Sequence, residues 1–263
     1  MTAKKKITTA LLIVVAAVAL VAISIAGTVA YLTASSAVSN TFTVGNVFIE
    51  MFESPVDEDG KIQQGFSGKK NADGNSYHLQ PGGTYIKDPS IYVQPTSDDC
   101  FLFVRARNQI RTIEKQDDVN NPTMAQQMAQ HGWMVYDASQ DATVGTVYVF
   151  CGKMVNGKNV ELDSVQDADL IAKIAAGTAT PTPIDKNGYV VDGVAHEQEI
   201  VLFHRFSINE EANVSLYGGA KVTLTAFAIQ TTGFIGDGGT VNTAGAWAAI
   251  VAAYPYESGS TNP

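Results

Sequence analysis

Residues 101–107 read FLFVRAR, a run of large apolar and β-branched side chains that ends in two arginines. Such residues favour the pleated, half-buried surface of a β-sheet, so this stretch predicts a strand. Comparable runs predict further strands at 41–52, 133–136, 146–151, 199–208 and 221–230. Within the first of these, Gly45 and Asn46 indicate a bulge or a turn. Clusters of Gly, Pro, Asn and Asp separate the runs, so the chain is predicted to be mainly β.

Helical patterns are few and short. Residues 124–130 form a polar candidate, 164–176 has Ser164 as its expected N-cap, and 242–253 would close the core as a terminal helix. The chain has 263 residues without a repeat at solenoid spacing, which suits one large domain after the first 30 residues. We predict a jelly-roll-like β-sandwich over residues 31–263, with short helical insertions and an amino-terminal hydrophobic signal segment.

The amino terminus has the pattern of an export signal. Three lysines at 4–6 precede residues 10–32, a run of 23 residues without a charge. That run is long enough to cross a bilayer as a helix, and it exceeds the usual apolar core of a secretory signal. Two interpretations stay open, a signal peptide cut near Thr28 and Ala30 or an uncleaved anchor. Either one places the rest of the chain outside the cytoplasm.

Charge is distributed unevenly along the chain. No charged residue lies between Lys6 and Glu50, a gap of 43 residues, and the formal net charge of the whole chain is -9. Beyond residue 30 there remain 14 basic and 26 acidic residues, a net charge of -12. Nucleic-acid binding needs clustered Lys and Arg against phosphate, so this acidic body excludes that class of partner. Contact with a membrane is expected only through the amino-terminal segment before cleavage.

The two cysteines fit an oxidising compartment without proving a bond. Cys100 and Cys151 each lie at the end of a predicted strand, so neighbouring strands would be able to bring them together. A disulfide between them and a pair of separate, buried thiols are both left open by the sequence.

No complete catalytic constellation is present in the sequence. The zinc-protease pattern H-E-x-x-H is approached at His196-Glu197, but Ile200 stands where the second histidine belongs. His204 lies at even spacing from His196 and would share its strand face, where two histidines are more often solvated than metal-bound. No G-x-S-x-G elbow occurs, and the acidic turns lack the terminal Glu of an EF-hand loop. We therefore expect no enzyme, no cofactor, and neither catalytic nor metal-binding residues.

Several stretches resemble the TasA/camelysin family of exported proteins. Residues 26–54 read AGTVAYLTASSAVSNTFTVGNVFIEMFES, and 40–49 within them match the family's N-x-F-x-x-G-x-[VL]-x-[IL] strand. Further similar segments lie at 79–89, 101–107, 224–230, 233–234 and 246–247. The resemblance is strong at both ends and weak over about 110–195, which we interpret as a family-divergent insertion.

The resemblance implies a secreted structural subunit of biofilm-matrix fibres, located in the extracellular matrix or at the cell surface. Its leader, residues 1–30, would be removed by a signal peptidase of the SipW type. Cleavage is expected in the region of Thr28, Val29 and Ala30, with Ala30 favoured.

The resemblance also implies polymerisation by donor-strand complementation, in which the mature amino-terminal segment of one subunit joins the sheet of the next. The residues expected to form this polymerisation strand are Tyr31, Leu32, Val38 and Phe42, with 31–40 as the candidate donor segment. An extended peptide gains main-chain hydrogen bonds at an exposed sheet edge, and unlike donor and acceptor surfaces propagate as a filament. The expected partners are further copies of the chain and other matrix or accessory fibre subunits.

Two alternative functions stay open. Some members of the same family are classed as metalloendopeptidases, which implies a peptidase at the cell surface. The other alternative is a membrane-anchored adhesive or fibre-initiating protein whose hydrophobic run stays in the bilayer.

The cleavage hypothesis has a direct test. We expect the protein recovered outside the cell to begin at Tyr31, because small residues at positions −3 and −1 are what a signal peptidase recognises. Amino-terminal sequencing of the secreted protein measures this. A secreted or cell-bound chain that still carries residues 10–30 would support the anchor and contradict cleavage.

Overall fold

The computed structural model describes residues 33–35, 38–64, 74–116, 120–138 and 144–255. The predicted leader, its cleavage residues Thr28, Val29 and Ala30, and the donor residues Tyr31 and Leu32 lie outside these ranges. Among the helices that the structure does describe, none is long and apolar enough to cross a membrane.

Short strands dominate the described residues. In chain order they are β1 (Thr33–Ser35), β2 (Val38–Val44), β3 (Ile49–Phe52), β4 (Ser76–His78), β5 (Thr84–Ile86), β6 (Ser90–Val93), β7 (Cys100–Asn108), β8 (Trp133–Asp137), β9 (Thr146–Phe150), β10 (Met154–Val155), β11 (Lys158–Asn159), β12 (Val190–Val191), β13 (Val194–Ala195), β14 (Gln198–Val201), β15 (Arg205–Ser207) and β16 (Val222–Gln230).

The helices are short. They are α1 (Met124–Gln130), α2 (Ala168–Ala175) and α3 (Thr243–Ala253), together with 3-10 turns at Arg111–Ile113, Val214–Tyr217 and Asp237–Gly239. Helix α1 begins with a capping box, in which Thr123 and Gln126 satisfy each other's backbone N–H groups. The predictions of helices at 124–130 and 242–253 are therefore confirmed.

Two five-stranded sheets carry the architecture. Sheet I has the order β2-β16-β7-β9-β8, and sheet II has the order β10-β11-β14-β6-β3. The smaller pairs β1-β4, β5-β15 and β12-β13 lie outside these two sheets. In sheet I every described pairing is antiparallel except that of β2 with β16, which is parallel.

The two sheets share one hydrophobic core. Sheet I contributes Leu102, Val104, Phe150, Leu224, Ala226 and Ala228, and sheet II contributes Ile49, Met51, Ile91, Val93 and Ile200. Burial of these apolar side chains is the main favourable term holding the layers together. The prediction of a mainly β sandwich with short helices is confirmed.

Sheet I is also buried on its outer face. Phe101, Phe103 and Phe227 point away from sheet II into a second cluster, which Ile174 of α2 and Ile250 of α3 cover. Strand β7 therefore has no solvated face over most of its length, and its sequence reads as a continuous apolar run instead of an alternating one.

Two strand predictions are wrong in part. The predicted turn at Gly45 and Asn46 is confirmed, with φ of +91° at Gly45, but it divides residues 41–52 into two strands that belong to different sheets. Residues 199–208 do not form one strand either, since Leu202, Phe203 and His204 separate β14 from β15. At both breaks the strands before and after pair with different neighbours. The local alternation of apolar and polar residues does not reveal this change.

The expected N-cap at Ser164 is also wrong. Helix α2 begins at Ala168, and the preceding residues form turns. The Asp163 carboxylate accepts the backbone N–H groups of Val165 and Gln166, so an aspartate side chain takes the hydrogen bonds that a helix cap would use.

The region of about 110–195 belongs to the body of the fold. It supplies β8 and β9 to sheet I and β10 and β11 to sheet II. Trp133 of β8 is fully buried, packs against Phe150 at 5.4 Å between ring centroids, and donates its indole N–H to the Val201 carbonyl. Residues of this region therefore form part of the hydrophobic core.

A buried ion pair joins the end of β3 to the residue after β5. The Lys87 ammonium lies 2.7 Å from the Glu53 carboxylate, and both side chains are fully buried. Asn75 donates to the other oxygen of Glu53 and accepts the N–H of Val56. Burial raises the pKa of Glu53 and lowers the pKa of Lys87, and the charge of each partner opposes that shift.

Removing one member of this pair is expected to destabilise the fold strongly. Lys87→Met leaves Glu53 buried without its counter-charge, and we expect the free energy of unfolding to fall by about 3–5 kcal/mol. Urea denaturation of the chain from Tyr31 measures it. Lys115→Met is the matched control, because its partner Glu210 is exposed, and it should leave the midpoint almost unchanged. Equal midpoints for the two variants would contradict this assignment.

Candidate functional site

The edge of sheet I beside β16 is the first candidate site. Strand β2 lies parallel to β16, with Val38 opposite Leu224 and Phe42 opposite Phe227, and the register shifts once between them. On its other side β16 pairs antiparallel with β7 along the whole strand. Because parallel neighbours are not joined by a hairpin, β2 is held at this edge by its pairing with β16 and by side-chain packing.

Phe42 anchors β2 in this place. Its ring stacks on Phe227 at 5.6 Å between centroids and lies 4.8 Å from the Tyr254 ring. Tyr254, directly after α3, also donates its hydroxyl to the Thr43 carbonyl at 2.6 Å. Trp247 of α3 packs edge-on against Phe227 from the same side. We call Phe227, Trp247 and Tyr254 the acceptor cluster, because they form the surface that receives Phe42.

Gly45 ends β2 and sends the chain towards sheet II. Its φ of +91° is unfavourable for any residue with a Cβ. A Cβ at this position would also clash with the side chain of Gln230, the last residue of β16. The backbone turns at this glycine and passes from sheet I to sheet II.

In the single chain the described part of the candidate donor segment is paired with strands of its own chain. The backbone of Thr33–Ser35 pairs with β4, and Val38–Val44 pairs with β16 of the same chain. Within a single chain the segment therefore fills its own sheet edge. Phe42 belongs to the anchored part, and Tyr31 and Leu32 lie outside the described residues.

The cysteines are two separate free thiols, so the disulfide alternative is wrong. In the antiparallel pair of β7 and β9, Phe103 is opposite Val149. In this register Cys100 and Cys151 are offset by one residue, so their side chains lie on opposite faces of sheet I. Burial raises the pKa of each thiol to about 12, which keeps both protonated and unreactive.

Three side chains of the types that bind metal ions meet at a second place, which the sequence did not indicate. The ligand atoms of His131, Glu161 and His204 all lie within 4.8 Å of one another. His131 Nε2 is 3.6 Å from the Glu161 carboxylate, and the two imidazole rings are 4.9 Å apart. His196, the expected companion of His204, instead contacts the Tyr189 ring.

His131 is the unusual member of this histidine cluster. Its side chain is buried, and neither ring nitrogen has a hydrogen-bond partner among the described residues. Burial, with a smaller contribution from His204, lowers the pKa of His131 to about 4, so the imidazole is neutral at physiological pH. Glu161 and His204 are exposed and cover it from the solvent side.

A cavity of about 270 Å³ contains one buried acid, Glu114. Its two carboxylate oxygens accept from the Asn108 side chain and from the backbone N–H of Met124 at the start of α1. Burial raises the pKa of Glu114 to about 7. Since each oxygen accepts a hydrogen bond from the protein itself, this acid has a structural role in holding the start of α1.

Comparison of the chain with protein-family models, with curated proteins and with solved structures finds no match. The sheet edge and the histidine cluster are therefore the two features of the molecule that bear on its function.

Glu114 predicts a pH dependence of stability. Because its pKa is about 7 in the folded protein and 4.5 ordinarily, the folded state binds the proton more tightly. The free energy of unfolding should fall by about 3 kcal/mol as the pH rises through this window.

Glu114→Gln should remove this decline, whereas Glu210→Gln, at an exposed position, should retain it. Urea denaturation between pH 4 and 8 measures both. Parallel curves for Glu114→Gln and the unchanged chain would contradict the prediction.

Proposed function

We propose that the chain is the secreted subunit of an extracellular biofilm-matrix fibre, with a jelly-roll sandwich that polymerises by exchange of its amino-terminal strand. The observation that supports this most is the parallel strand β2 at the edge of sheet I, seated on the acceptor cluster through Phe42. In the single chain the strand fills its own edge. In the fibre the same strand would fill the edge of the next subunit.

Strand exchange conserves the contacts that hold β2. The acceptor cluster and the backbone of β16 offer the same hydrogen bonds and the same aromatic surface to a second copy of Val38–Val44. Such exchange of an identical element is a low-cost route to assembly, because no new interface has to be created. The turn at Gly45 provides the hinge.

The assembly would be open-ended. The donor lies at the amino-terminal end of the chain, whereas the acceptor cluster comes from β16 and α3 near the carboxyl end. Because donor and acceptor are different surfaces, each exchange leaves one free donor and one free acceptor, and the contact propagates head-to-tail.

Charge is compatible with this assembly. The donor strand reads VSNTFTV and carries no charge, while the body beyond residue 30 has a net charge of -12. An uncharged strand enters an acidic neighbour without like-charge repulsion, and the net charge keeps unassembled subunits soluble.

A cysteine pair across β2 and β16 tests the exchange. Thr41 and Ala226 are direct neighbours in the register, and adjacent strands are about 4.8 Å apart, within disulfide range. We expect the chain from Tyr31 with Thr41→Cys and Ala226→Cys to stay monomeric when it is oxidised before assembly. Oxidation after assembly should link different chains, giving a ladder of multimers on a non-reducing gel.

The matched control places the cysteines where no exchange is proposed. Glu50→Cys with Tyr92→Cys joins β3 to β6 within one chain. That variant should form fibres when oxidised and should give monomers on the non-reducing gel. Links within single chains after assembly of the Thr41 and Ala226 variant would overturn strand exchange. Failure of the unmodified chain to form any filament would overturn the fibre function itself.

The peptidase and anchored-protein alternatives stay predictions with their own assays. Chelator-sensitive cleavage of a casein-like substrate would support the first, and retention of residues 10–30 in the cell-bound protein would support the second.

A further inference from the structure

The histidine cluster is held by its backbone from several directions. The side chain of Gln127 in α1 accepts the backbone N–H groups of His204 and Arg205 and donates to the Arg205 carbonyl. Gln127 is itself buried. One turn further along α1, the backbone N–H of His131 donates to the Gln127 carbonyl. The same glutamine therefore fixes the positions of both histidines.

A second buried amide fixes the third ligand. Asn159 of β11 donates to the carbonyls of His131 and Val201 and accepts the Val201 N–H. Two residues later comes Glu161, and the N–H of the next residue, Leu162, donates to the Gln130 carbonyl of α1. The three side chains thus project from backbones that the protein holds together before any ligand arrives.

His131 supplies an independent reason to expect a ligand. Within the described ranges neither ring nitrogen of this buried imidazole has a partner, so its hydrogen bonds to water are lost without replacement, which is costly. Its Nε2 atom faces Glu161, and a cation bound between the two would satisfy the nitrogen. Such an unsatisfied group in a folded protein calls for an explanation beyond packing.

The donor set and its spacing identify the class of ion. Two ligands on one tetrahedral zinc ion lie about 3.4 Å apart, because each bond is about 2.0–2.1 Å long. His131 Nε2 and the Glu161 carboxylate are already 3.6 Å apart, and the exposed His204 needs only a side-chain adjustment. Two imidazoles favour zinc and its neighbours over calcium or magnesium, which prefer all-oxygen sites.

We infer that His131, Glu161 and His204 bind one divalent transition-metal ion, with Zn²⁺ the best fit and water completing the coordination. The neighbouring positive charge, Arg205, is directed towards the Asn120 carbonyl. The ion would tie the end of α1 to the residues that follow β11 and β14, and so would link the helix that leads into sheet I to two strands of sheet II. This binding departs from the expectation of no metal site, and it depends neither on fibre formation nor on peptide cleavage.

Calorimetric titration of Zn²⁺ into the chelator-treated chain from Tyr31 tests the site. We expect one ion per chain, and a Co²⁺-loaded sample should show the visible absorption of tetrahedral coordination. His204→Ala and Glu161→Gln alter exposed side chains, so both variants should fold. Loss of a second-sphere group typically weakens metal binding by 10–100-fold, so loss of a ligand should weaken it by about 100-fold or more.

His196→Ala is the matched control, because it removes an exposed histidine outside the cluster. It should bind Zn²⁺ as the unmodified chain does. His131→Ala adds a third variant, and its unfolding transition without metal shows whether the buried position tolerates the change. Zn²⁺ affinity that is equal in the His204→Ala, Glu161→Gln and His196→Ala variants would overturn the assignment, as would the absence of stoichiometric binding.

Discussion

The antiparallel pairing of β7 with β16 runs through nine residues of each strand, from Val222 opposite Asn108 to Gln230 opposite Cys100. These strands form the centre of sheet I, and both of their faces carry apolar side chains. Water must therefore be excluded from two sides at once. Sheet II covers one side, and α2 with α3 covers the other, so the layered architecture follows from this one pair of strands.

The same two strands, β7 and β16, explain why the edge of sheet I needs a further strand. β16 pairs fully with β7 on one side, and on the other it needs a strand, because a long apolar edge is prone to uncontrolled association. The chain meets this need with its own amino-terminal strand, anchored through Phe42 on residues near the carboxyl end. A strand held by one aromatic ring, one tyrosine hydroxyl and a ladder of hydrogen bonds is well suited to exchange between copies. In the proposed fibre, the stability of the monomer and the capacity to polymerise would depend on the same contacts.

Buried polar groups inside the sandwich hold its irregular segments in position. The Glu53 and Lys87 pair fixes the chain beside β3 and β5, and Glu114 holds the start of α1. Gln127 and Asn159 join α1 to the strands of sheet II. Each of these groups is buried, so its removal leaves its own hydrogen-bond partners unsatisfied. His131 differs from these groups because its ring nitrogens have no hydrogen-bond partner in the part of the chain that the structure describes.

The sequence by itself determined the mainly β class, the two central strands and the helices at 124–130 and 242–253, since composition and local patterning reflect burial directly. Only the tertiary structure decided that Gly45 divides one apolar run between two sheets. Only strand register separates Cys100 from Cys151, because a shift of one residue moves a side chain to the opposite face. Likewise, His131 meets Glu161 and His204 through contacts between segments 30 to 73 residues apart, and spacing along a chain carries no record of such contacts.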